Sequence, residues 1–225
     1  MAKELSAIAL GLKARTAAYI PAEGRGTLGE YRDFQRALKG PGFRRFRRVA
    51  IDRPLSPRAE AALFACDAIF LGGGNTFAFL KSLRERGLIP KLRAFAKRGG
   101  ILLGLSAGSI LLTPKIATAE VPSLDKDNNE VGLRNLAALG LVRFEFSPHY
   151  SRSVRADREL LRYSRRLSHP VYACADGEGI VVRNGRIRLI GNVKAFYRGR
   201  KITLGNRATV SDVKSSPNAA SRHLL

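Results

Sequence analysis

The stretch Ile101-Leu102-Leu103-Gly104-Leu105-Ser106-Ala107-Gly108-Ser109-Ile110-Leu111-Leu112 decides how the rest of the chain is read. Its opening apolar run, entered through Gly99-Gly100 and left through Gly104, is too short for a helix and suits a buried central strand. The Gly-x-Ser-x-Gly that follows predicts a strand passing into a helix through a single residue. Such a turn forces Ser106 into a strained backbone conformation with its side chain thrust outward, while Gly104 and Gly108 let the flanking backbones pack closely. Ser106 then stands at a helix N-terminus, where unpaired N–H groups and the positive dipole end favour a developing negative charge. The N–H of Ala107 becomes an oxyanion donor. The plainer reading of the same five residues is a strand-to-helix turn with Ser106 as an N-cap. A base elsewhere in the chain separates the two.

Outward from this stretch, short apolar runs alternate with helical patterns. Ala17–Ile20, Val49–Ile51, Ala68–Leu71, Phe144–Phe146 and Val171–Cys174 read as compact buried strands. Between them, residues 29–38, 57–64, 76–85, 89–97 and 157–166 carry helical spacing or composition. This alternation predicts an α/β fold with a mostly parallel sheet flanked by helices and with catalytic groups at the carboxyl ends of the strands. The last third changes character. Ile180-Val181-Val182 and Ile187-Arg188-Leu189-Ile190 flank Asn184-Gly185, a type I′ hairpin signal, so a C-terminal β-hairpin extension is expected. Ala195–Tyr197 and Lys201–Leu204 read as a further strand pair. Residues 207–225 are polar and read as a flexible tail of one domain spanning 1–225.

Composition narrows the function classes. The 225 residues can bury a substantial core, and the 45% hydrophobic content is ordinary for a globular protein. A surplus of 40 Lys and Arg over 18 Asp and Glu, formally +22, is not ordinary and concentrates anions around the molecule. No apolar stretch is long enough to cross a bilayer, and Leu5–Leu12, preceded by Glu4, is a poor secretory signal. Cys66 and Cys174 lie far apart in apolar surroundings and read as buried thiols of a reducing compartment, so a cytoplasmic location is expected. Metal-ligand spacing is absent, and neither a metal nor an organic cofactor is expected.

A second chemical stretch, Leu71-Gly72-Gly73-Gly74-Asn75-Thr76-Phe77, again runs from a strand through glycines into a helix that Asn75 or Thr76 can cap. It has neither Rossmann nor P-loop spacing and fits better as a second source of oxyanion N–H groups. Of the three histidines, His223 lies in the tail and His169 precedes Pro170 in a loop. His149, in Phe146-Ser147-Pro148-His149-Tyr150, follows a strand and falls at the catalytic edge, where an elbow serine needs an imidazole. Asp176 and Glu178 follow the next strand and are the candidates for fixing that imidazole's tautomer, Asp176 preferred because it directly ends the strand.

Residues 71–80 with Glu85-Arg86-Gly87, Gly104-Leu105-Ser106-Ala107-Gly108-Ser109, and Ser147-Pro148-His149-Tyr150 resemble the peptidase E (α-aspartyl dipeptidase) and cyanophycinase family of serine peptidases. The resemblance runs from about Ala17 to about Phe196. It implies a flavodoxin-like sheet, akin to class I glutamine amidotransferases, with Ser106 as nucleophile, His149 as general base, and Gly74 and Ala107 as oxyanion donors. Asp176 takes the acidic position, where peptidase E has Glu; Glu178 and Glu120 stand as alternatives. It further implies a short peptide substrate with N-terminal aspartate, bound by Asn75, Arg155 and Arg158, the arginines gripping a carboxylate through two parallel hydrogen bonds. Two other readings stay open. One is a cyanophycinase-like hydrolase of an Asp–Arg polymer. The other is a nucleic-acid-binding protein on an inactive hydrolase scaffold, carried by Arg44-Arg45-Phe46-Arg47-Arg48.

Overall fold

A computed structural model describes residues 13–24, 27–204, 209–211 and 222–224, the last two segments as backbone strands. The main sheet is built from β1 (Thr16–Ile20), β2 (Arg45–Arg48), β3 (Ala68–Leu71) and β4 (Ile101–Gly104), all parallel, in the order β2-β1-β3-β4. The chain winds β1, α1 (Leu28–Lys39), β2, α2 (Pro57–Phe64), β3, α3 (Thr76–Glu85), α4 (Leu88–Lys97), β4 and then α5 (Ala107–Leu111). Because β1 sends the chain to one side and β3 returns it to the other, the crevice beyond the carboxyl ends of these strands is the place for a ligand.

Alternation along each strand divides the core. Ala17, Tyr19, Ile101 and Leu103 pack with Phe34 and Leu38 of α1 on one face. Ala18, Ile20, Ile69, Leu71 and Leu102 pack with residues of α2 to α5 on the other. Both faces are covered, which is why these strands are short apolar runs rather than alternating ones. Helix α1 begins at a reciprocal capping box: Thr27 Oγ accepts from the N–H of Glu30, and Glu30 Oε2 accepts from the N–H of Thr27.

The sheet is extended to eight strands by β7 (Gly179–Arg183), β8 (Arg186–Ile190), β11 (Thr209–Ser211) and β12 (Arg222–Leu224), in the order β11-β8-β7-β12-β4. The expected hairpin is β7–β8, with Asn184 at φ 52° and Gly185 at φ 71°, the two positive values that a type I′ turn requires. Where a tail was expected from residue 207, β11 pairs antiparallel with β8, and β12 pairs parallel with β4.

Three expectations are corrected. The second strand is Arg45–Arg48, not Val49–Ile51: as an edge strand it needs no apolar side chains on both faces, and Val49 and Ile51 are buried just beyond it. The strands around 144–146 and 171–174 are β5 (Glu145–Ser147) and β6 (Val171–Ala173), and they leave the main sheet. With β9 (Lys194–Tyr197) and β10 (Arg200–Thr203) they form a separate four-stranded sheet, order β10-β9-β6-β5. Helix α6 (Val154–Ser164) covers it, starting at its cap Ser153 and three residues earlier than the pattern indicated. Ala156 and Leu160 pack there on Tyr150, Val171, Ala173 and Phe196. Among the described residues no helix is long and apolar enough to cross a membrane, and Cys66 and Cys174 are buried free thiols.

Candidate active site

At the end of β4 the backbone turns through Ser106 at φ 51°, ψ −116°, a conformation that L side chains rarely adopt. Two close approaches demand the flanking glycines. A Cβ on Gly108 would lie 2.1 Å from the carbonyl oxygen of Leu71, and one on Gly104 would lie 2.6 Å from the backbone of Gly108. The turn is stitched to β3 by Leu105 N–H to Leu71 O (3.1 Å) and Gly108 N–H to Gly72 O (3.0 Å). The N–H groups of Ser109 and Ile110 are committed to the carbonyl of Ser106. Ala107 opens the helix directly after Ser106, among the N–H groups that have no partner one turn earlier.

His149 enters from the loop after β5, itself at φ 53°. Its Nε2 lies 2.9 Å from Ser106 Oγ, and its Nδ1 lies 2.7 Å from Asp176 Oδ1, on the loop after β6. If Ser106 donates to Nε2, the imidazole proton resides on Nδ1 and is donated to Asp176. The ring is 39% exposed and the Asp176 side chain 84% exposed, so neither is held by burial. The neighbour of His149 anchors the root of its loop. Tyr150 is buried, donates its N–H to Cys174 O (3.0 Å) and its hydroxyl to Asp157 of α6, and lies under Lys201, which also bonds Asp157 (2.6 Å). Burial, followed by the Asp157 bond, pushes the Tyr150 hydroxyl above its ordinary pKa, so it stays protonated as a donor.

The other sequence candidates fall as follows. Glu178 is committed to Arg152, Ala175 and Asn192, while Asp176 takes the imidazole Nδ1. Glu120 lies in a 3-10 turn, Ala117–Glu120. His169 bonds Glu145 Oε1 at the opposite end of β5 from His149, and the side chain of His223 lies outside the described residues. In the glycine loop, Gly73 is the one beside Ser106, its Cβ direction 3.5 Å from Ser106 Cβ, while Gly74 lies against Ala22 and Glu23. Asn75 caps α3, its Oδ1 accepting from Ala78 N–H (2.9 Å), and its Nδ2 donates to Asn128 O (2.8 Å). Arg155 bonds Glu159 (3.1 Å) and Ser123 (2.9 Å), tying α6 to the loop around residue 123. Arg158 shares with it a groove of about 480 Å³ lined also by Val154, Glu159 and Arg162. Sequence reasoning missed the anchoring set of Arg152, Tyr150, Asp157 and Lys201; Lys201 and Glu178, the partners of Asp157 and Arg152, lie far from them in the chain, and Glu178 was read only as an alternative acid for the imidazole.

Peptidase E of Citrobacter koseri is 33% identical over 142 residues, an alignment covering 58% of this chain and 58% of that relative. The chain thus spans less than two thirds of the length of such curated relatives. Two crystal structures share the fold. A protein from Listeria monocytogenes EGD-e assigned to peptidase E has TM-score 0.61 at 21% identity, over 89% of this chain and 95% of the other. A peptidase from an acI-B1 Actinobacterium has TM-score 0.64 at 15% identity, over 93% and 89%. The family model of peptidase family S51 matches residues 1–190, and the chain belongs to that family.

Proposed function

We propose that the protein is a serine peptidase that hydrolyses very short peptides, dipeptides with N-terminal aspartate foremost. The observation that carries this is the continuous hydrogen-bonded line from Ser106 Oγ through the His149 ring to Asp176 Oδ1, at 2.9 and 2.7 Å. Ser106 attacks the carbonyl that follows the N-terminal residue. His149 accepts the hydroxyl proton as the C–O bond forms and returns it to the leaving amine as the C–N bond breaks; water then repeats the sequence on the acyl-enzyme. Asp176 holds the tautomer and stabilises the imidazolium. The Ala107 N–H and an N–H of the Gly73-Gly74 segment receive the oxyanion. Membership of the S51 family and the curated relatives named peptidase E support the substrate class. Arg155 and Arg158, both exposed on α6, with Asn75 positioning the glycine loop, are assigned to the substrate carboxylate. The two buried free thiols fit a cytoplasmic setting.

A fluorophosphonate probe should label wild type and not Ser106→Ala, and wild type should release leucine from Asp-Leu faster than from Ala-Leu. His149→Ala should lower kcat by about 10³-fold or more. Intact protein that neither takes the label nor cleaves any dipeptide would sink the proposal.

A further inference from the structure

We propose that Arg152 and Glu178 form a latch that fixes the His149 loop to the Asp176 loop, making Arg152 a positioning residue for the imidazole–carboxylate pair. The inference rests on the reading of Ser106, His149 and Asp176 as the reacting set. Those last two residues reach the site from separate loops. The strands beneath them, β5 and β6, end their pairing at Ser147 and Ala173, with Cys174 N–H to Ser147 O and Tyr150 N–H to Cys174 O (both 3.0 Å) just beyond. Past that point the exposed His149–Asp176 bond needs outside support, because an exposed pair does little to immobilise its own side chains.

Glu178 supplies it. Two residues beyond the exposed Asp176, its side chain is only 9% exposed. Oε1 accepts from Arg152 Nη2 (2.5 Å) and from the N–H of Asn192 (2.7 Å), while Oε2 accepts from the N–H of Ala175 (2.9 Å). The N–H of Glu178 in turn donates to the carbonyl of Ala175 (3.0 Å). Both backbone groups of Ala175 thus bind one residue, and Asp176-Gly177 is closed into a tight turn with the carboxylate at its tip. Space for the Glu178 stem comes from Gly191, where a Cβ would lie 2.6 Å from Glu178 Cγ.

Arg152 belongs to the other loop, three residues after His149, and both residues are in left-handed conformations, at φ 55° and 53°. A non-glycine residue stays in that region only when its surroundings over-determine it. The guanidinium bond is the contact by which the His149 loop grips the residue that shapes the Asp176 turn. It also neutralises a carboxylate that would otherwise be buried with backbone donors alone. The latch therefore acts on orientation at the reacting atoms and not on affinity.

The test uses the full chain with Asp-Leu. Arg152→Ala should lower kcat by about 10- to 100-fold with KM within about 2-fold, since small misplacement of a proton-transfer pair is felt in the chemical step. Arg152→Lys, which keeps a charged donor, should recover most of kcat. The pair acts as one unit, so Arg152→Ala/Glu178→Gln should be no worse than the more damaged single variant. A raised KM at unchanged kcat would make Arg152 a substrate contact and overturn the latch; so would multiplicative losses in the double variant. If Arg152→Ala does not fold, Glu178→Gln carries the test: it should lower kcat by a similar factor with KM within about 2-fold, and wild-type kcat in it overturns the latch. Failure of the underlying reading looks different, because wild type itself would then neither label nor hydrolyse.

Discussion

The hydroxyl of Ser106 is presented by a backbone conformation, φ 51° and ψ −116°, that costs a side-chain-bearing residue about 1–3 kcal/mol. Glycine adopts this region readily, as at the first central position of a type II′ turn. Ser106→Gly and Ser106→Ala should both abolish labelling and hydrolysis, yet Ser106→Gly should be the more stable by roughly 1 kcal/mol, about 2–4 °C in Tm. Equal melting temperatures, or a higher one for the alanine variant, would mean that the elbow stores no strain. At this scale the sequence was legible for residues whose placement follows from their own neighbours: Ser106 between its glycines, His149 and Asp176 just after their strands. Glu178 was not, because its inward course depends on Gly191 and Arg152, neither of which is near it in sequence.

Elements are joined by residues at their ends, and Asp67 is the clearest case. Standing just before β3, its Oδ2 accepts from the N–H groups of Arg15 and Thr16 (2.8 Å each) and from Thr16 Oγ (2.7 Å), aligning the start of β3 with that of β1. Partial burial works to raise the Asp67 pKa, but the bonds from Arg15 and Thr16 together outweigh it and hold the carboxyl below the usual range. A carboxylate depressed in the folded state contributes stability above its unfolded pKa and loses it as pH falls through the folded value. Asp67→Asn should therefore destabilise the protein by about 1 kcal/mol at pH 7, the figure for an exposed charged acceptor discounted for screening. In urea titrations the gap to wild type should close as pH drops below about 4. A gap that stayed constant to low pH would assign the effect to shape rather than charge. Elements with local end signals were read correctly: α2 and α3 follow directly on their caps Ser56 and Asn75. Strand β2 escaped because an Arg-Phe-Arg-Arg edge strand has the composition of a solvated loop.

For the whole molecule, the decisive fact is that the line of hydrogen bonds crosses from one sheet to the other. Ser106 follows β4 of the main sheet, whereas His149 and Asp176 follow β5 and β6 of the four-stranded sheet. One core, with Leu102 and Ile110 from one side and Phe144, Phe146, Tyr172 and Ala195 from the other, fixes their separation. Alternation of strands and helices reveals an α/β fold, but it cannot reveal which strands leave the sheet, since β6 pairs with β9 across a long stretch of chain. The charge also belongs to this scale. At +22 the molecule surrounds its open site with a field that draws anions and that salt screens, over about 30 Å at 0.01 M and about 8 Å at 0.15 M. Asp-Leu carries one more negative charge than Ala-Leu, so across that range kcat/KM for Asp-Leu should fall several-fold more than for Ala-Leu, with kcat nearly unchanged for both. Parallel losses for the two dipeptides would show that, on the proposed reading, any preference for aspartate is made by contacts at the site alone, and that the arginine surplus has no part in delivering Asp-Leu to Ser106.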